Sequence, residues 1–145
     1  MRTSIFCLLA LAFIANCLLL APTHTVVGQT SRTPDGHLAY DFGIETLGGV
    51  FTPIIRKGVT IPHSVTQVFS TASDNQEQIF LSIFSGTAPV TSGANSLGQF
   101  QLVDIPRLPR GEPQIEVTFG VEIDSLWISA KDLRTERSIS IRKVK

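Results

Sequence analysis

Glu77-Gln78-Ile79-Phe80-Leu81-Ser82-Ile83-Phe84-Ser85 is the stretch that decides the fold. A strand turns successive side chains to opposite faces, so Ile79, Leu81 and Ile83 share one side and Phe80 and Phe84 the other. Such a strand is either buried on both sides or offers one face to a ligand. Outward from it, short apolar-polar stretches recur between turn residues: Asp41–Thr46, Val50–Ile55, Val65–Thr71, Leu97–Leu102, Gln114–Val121, Leu126–Asp132 and Arg137–Ile141. Between them lie Leu47-Gly48-Gly49, Arg56-Lys57-Gly58, Ala72–Gln76, a long Gly86–Ser96 loop and the proline-rich Pro106–Pro113 segment. No window carries the i, i+3, i+4, i+7 stripe of an amphipathic helix. The expected fold is all-β, an antiparallel sandwich of about eight short strands.

The N-terminus has a different character. From Ile5 to Ala21 only Asn16 is polar; Arg2 precedes the run and Pro22 ends it. That layout is expected of a secretory signal peptide, with Val26-Val27-Gly28 offering a small residue before a cleavage point. The expected organisation is a signal peptide over residues 1–28, a flexible lead-in over 29–40 around the turn Pro34-Asp35-Gly36, and one domain over 41–145. The corresponding location is the secretory pathway or the cell exterior. Retention of the run as a membrane anchor, or its use as an organellar transit peptide, are the alternatives; a membrane is a partner only if the run is retained.

Composition excludes several classes of chemistry. Both cysteines, Cys7 and Cys17, fall in the apolar leader, so a processed chain has no thiol for a disulfide framework, a nucleophile or a zinc site. The 12 basic and 12 acidic side chains cancel, which is unlike a nucleic-acid binder. No glycine-rich phosphate loop is legible, and Gly93-Ala94-Asn95-Ser96-Leu97-Gly98 has its serine one place too late for a nucleophile elbow. His37 and His63 stand far apart, each beside a turn residue. The expectation is a protein that is not an enzyme and that uses no cofactor or metal.

Longer motifs then carry a resemblance. Gly43-Ile44-Glu45-Thr46-Leu47-Gly48-Gly49-Val50, Thr60-Ile61-Pro62, Gln67-Val68-Phe69-Ser70-Thr71-Ala72, Asp74-Asn75-Gln76, Leu97-Gly98-Gln99-Phe100, Pro109-Arg110-Gly111 and Pro113-Gln114-Ile115-Glu116-Val117-Thr118-Phe119 follow in order, with Ser129-Ala130-Lys131-Asp132 after them. From about Phe42 to Ile141 the chain resembles the β-sandwich substrate-binding subdomain of the seventy-kilodalton heat-shock chaperones. In that family an ATPase domain and an acidic, leucine-rich linker precede the sandwich and a helical lid follows it. Here the apolar leader and Thr33-Pro34-Asp35-Gly36-His37-Leu38 stand before it.

The resemblance implies binding of extended apolar segments of unfolded polypeptides, without an ATPase in the same stretch; a separate chaperone ATPase acting in trans is an implied partner. By position, Ile44, Phe69, Ile79, Leu81 and Ile115 would line a pocket for one side chain. Leu47 and Ala72 would arch over the peptide, and Thr46, Ser70 and Gln76 sit where the family offers groups to its backbone. Asp74 and Arg110 match lid-facing positions and are expected to be solvated. Phe80 and Phe84 are expected to leave apolar surface that favours self-association. The alternatives are a degenerate chaperone fragment with no activity of its own, and a secreted β-sandwich used for structure or contacts.

Overall fold

The computed structural model describes residues 24–145, and the apolar run assigned to a leader lies outside them. Nine strands follow in order: β1 Thr25–Gln29, β2 Asp41–Thr46, β3 Val50–Ile55, β4 His63–Phe69, β5 Ile79–Gly86, β6 Asn95–Val103, β7 Ile115–Val121, β8 Ser125–Asp132 and β9 Ser140–Lys143. They form two antiparallel sheets, a four-stranded β1-β8-β7-β4 and a five-stranded β3-β2-β5-β6-β9. β2 and β3 coincide with the stretches read from the sequence, and the remaining six expected strands shift by a few residues at their ends. No α-helix occurs among the described residues.

The alternation in β5 resolves to one buried side. Ile79, Leu81 and Ile83 enter the core, whereas Phe80 is 52% exposed and Phe84 half-buried on the outer face. The strand is therefore not covered twice. Across the gap β7 contributes Ile115, Val117 and Phe119, and the Phe119 ring meets Phe42 edge-on with centroids 5.9 Å apart. Aliphatic and phenyl side chains from both inner faces make one contiguous apolar cluster, which is the main stabilising term in a sandwich of this kind.

Two glycines are required by close approach. A Cβ on Gly43 would lie 2.1 Å from the Thr52 carbonyl oxygen, so β2 can bulge against β3 only without a side chain there. A Cβ on Gly120 would lie 2.0 Å from Trp127 Cε2, because the indole of its cross-strand partner sits against that backbone.

The ninth strand is β1, and it lies where the sequence reading placed the end of a leader. Thr25 pairs with Ile128 and Gln29 with Ser125. The stretch read as a flexible lead-in is also tied down. Arg32 bridges Leu38, Thr33 N–H donates to the His37 carbonyl at 2.8 Å, and Leu38 is buried in the core cluster. Sequence patterning missed both segments because Val26-Val27 and Leu38-Ala39-Tyr40 run apolar residues together without a two-residue alternation.

Candidate functional site

The sheets are joined at one end of the sandwich by the connection from β4 to β5, residues 70–78, which passes from the four-stranded to the five-stranded sheet. Beside it projects the β2–β3 hairpin Leu47-Gly48-Gly49, with Gly48 at φ 85° and Gly49 at φ 74°. Positive φ at two successive residues suits glycine, and the hairpin carries Leu47 outward, wholly exposed. Ala72, on the facing loop, is exposed as well.

Beneath these loops the structure brings together the expected pocket residues. Ile44, Ile79, Leu81 and Ile115 belong to the apolar cluster, and Phe69 packs against it. Phe69 pairs across the ladder with Ile115 and approaches the Phe119 ring at 6.4 Å. Exposure differs within the set. Ile44, Ile79 and Leu81 retain 5–8% of their surface and Ile115 none. Ile115 is therefore a sealed floor residue and not part of an open lining. The cleft of about 380 Å³ bounded by Gln29, Tyr40, Ser85, Asn95 and Leu97 lies at the other end of β5.

The polar residues expected to face a peptide are engaged within the loops. Gln76 Oε1 accepts from the amides of Ala72 at 3.0 Å and Ser73 at 3.2 Å, and its Nε2 donates to the Gln78 carbonyl at 2.6 Å. Ser70 Oγ donates to the Pro113 carbonyl at 2.5 Å. Thr46 Oγ1 shares a hydrogen with Thr52 Oγ1 at 2.9 Å across the hairpin. These hydrogen bonds make the side chains part of the loops' own framework.

Each loop is also braced from outside. The Pro106–Pro113 segment holds the β4–β5 connection: Asn75 N–H donates to the Leu108 carbonyl at 2.9 Å, and Gly111 N–H to the Thr71 carbonyl at 3.0 Å. Asp74 Oδ1 accepts from the Arg110 amide at 2.9 Å, so Asp74 is not merely solvated as expected. The Gly86–Ser96 loop holds the hairpin, with Thr91 N–H at 2.9 Å and Thr91 Oγ1 at 3.1 Å both donating to the Gly49 carbonyl. Sequence reasoning missed this bracing. The one available signal was polar residues just beyond a strand end, where Asp, Asn and Thr commonly bond backbone.

Arg107 pairs with Glu77 at 2.5 Å, and that hydrogen bond together with the attraction of the carboxylate raises the guanidinium pKa. Among the described residues no group of His, Cys, Asp or Glu is arranged to hold a metal ion.

The comparison with known proteins agrees with this arrangement. The family model described as Hsp70 protein matches residues 37–145. Chaperone protein DnaK of Methanothermobacter thermautotrophicus is 51% identical over 102 residues, covering 68% of this chain and 17% of that protein. The chain thus spans less than a fifth of that relative's length. A match over most of the chain, on a two-sheet sandwich with these loops, leads to one conclusion: the chain belongs to the Hsp70 family.

Proposed function

We propose that this domain binds extended apolar segments of unfolded polypeptides, one aliphatic side chain entering between the Leu47-Gly48-Gly49 hairpin and the β4–β5 connection. The observation that carries the reading is the convergence of Ile44, Phe69, Ile79 and Leu81 beneath two braced loops, one of them bearing a wholly exposed leucine. Aliphatic walls select by shape and cannot demand a hydrogen bond, so they suit unrelated clients that share only an apolar residue. Main-chain groups of the loops supply affinity that is independent of client sequence, as in strand-addition recognition.

The magnitudes fit a weak, reversible binder. Burying one leucine contributes about 1.5–3 kcal/mol, and each backbone hydrogen bond adds roughly 0.5–1.5 kcal/mol. Ordering the peptide offsets much of that. A micromolar complex needs about −8 kcal/mol, which is therefore near the tightest affinity expected. Binding of this kind needs no nucleotide. A separate ATPase acting in trans would add cycling without changing the contacts.

The test is titration of a fluorescent leucine-centred heptapeptide into the full chain and into Ile79→Phe and Leu47→Asp. The expected result is saturable micromolar binding that both substitutions weaken at least tenfold. No saturation below millimolar, or equal binding by all three proteins, refutes the proposal.

A further inference from the structure

Strand β8 has two edges. One is paired along its length with β7, and β1 covers the other from Ser125 to Ile128. The β1 ladder bulges between Val26 and Gly28, and the bulge places each residue for a purpose. Val27 turns inward, 5% exposed, into the cluster that holds Leu126 and Ile128. Gly28 lies under Leu97 of the opposite sheet, where a Cβ would come within 3.0 Å of Leu97 Cδ2. Val26 points outward beside Trp127 and is 58% exposed. Beyond the strand, Thr30 clamps the β7–β8 turn, its Oγ1 donating to the Glu122 carbonyl at 2.8 Å.

We infer that the edge of β8 is a strand-acceptor site occupied by the chain's own residues Thr25–Gln29, and that proteolytic trimming of the N-terminal apolar segment stops upstream of Thr25. The edge recognises an uncharged extended segment whose inward residue is a branched aliphatic followed by a small residue, because a side chain at Gly28 would press on Leu97. A cut after Gly28, where the small-residue pattern invites one, would withdraw Val27 from the core. It would also leave a bare ladder edge, which is a template for pairing with another chain.

The experiment compares melting of the full chain with Val27→Asp and Val26→Asp, each with and without a synthetic peptide of residues 23–31. Val27→Asp should melt at least about 8 °C lower, as expected for a charge forced into a core of this size, and Val26→Asp should melt with the parent. The peptide should raise the Val27→Asp melting temperature in a saturable way. Intact mass of the chain from a secreting host should give an N-terminus at or before Thr25. Equal melting of both variants, or a product beginning between Val26 and Thr30 that melts like the uncut chain, overturns the inference. Should Val27→Asp fail to fold, hydrogen exchange on the unaltered chain decides. Amides of residues 25–29 protected like those of β7 support the inference, and exchange at free-peptide rates overturns it.

Discussion

Replacing Gln76 by alanine separates two roles that its position allows, contact with the peptide and support of the loop. The side chain makes three hydrogen bonds, two accepted from Ala72 and Ser73 and one donated to Gln78. Each contributes about 0.5–1.5 kcal/mol net, and at a loop open to water the low end applies, so the three hold the loop by about 1.5 kcal/mol in total. If binding needs the ordered loop, that loss raises the peptide dissociation constant about tenfold, since 1.4 kcal/mol is a factor of ten. Global melting should barely move, because none of these atoms lies in the core. The assay is fluorescence anisotropy with a leucine-centred heptapeptide, run beside hydrogen exchange at the Ala72 and Ser73 amides. Gln76→Glu keeps the accepting oxygens and loses the donor, so it should fall between alanine and the parent. Unchanged affinity of Gln76→Ala despite faster exchange at both amides would refute the bracing argument.

Gly120→Ala drives a methyl group into the Trp127 ring and should destabilise the domain by about 1–3 kcal/mol or more, visible as a lower melting temperature and shifted tryptophan emission. Lys131 lies between Glu136 and Glu116, whose hydrogen bonds and charge raise its pKa above the usual 10.5. The stabilisation is therefore complete below the unfolded lysine's pKa and is lost as pH rises through the higher folded value. Lys131→Gln should melt slightly below the parent at pH 8 and converge with it in strong alkali; a gap that widens with pH contradicts this. Phe80→Ser should lower concentration-dependent association in light scattering while leaving the melting curve in place, since that ring is half in water. Light scattering unchanged by the substitution would place the apolar contact elsewhere.

Much of the sandwich was legible because large apolar residues recur at every second position along β5 (Ile79, Leu81, Ile83) and β7 (Ile115, Val117, Phe119), and glycines mark the hairpin of β2 and β3. The apolar part of the candidate site was legible only through the family resemblance, which singles out Ile44, Ile79, Leu81 and Ile115 by position; alternation marks Ile79, Leu81 and Ile115 as inward and says nothing of a site. What escaped was long-range and polar. Ser70 meets Pro113 from 43 positions away and Asp74 meets Arg110 from 36, and no local pattern encodes such partners. β1 escaped because its two adjacent valines, one outward and one buried, set no two-residue period. Whether Ile115 is open or sealed depends on side chains from both sheets, which strand patterning alone does not specify.

The passage of the chain from β4 in one sheet to β5 in the other has a consequence for selectivity. In the proposed binding, the place a guest side chain would enter lies under a link whose two feet stand on different layers, so the room available there would follow how far apart the layers rest. Phe119, wedged between Phe42 and Phe69, is one of the spacers. A change of bulk at that ring would therefore retune the size of guest residue admitted, leaving every rim residue as it was.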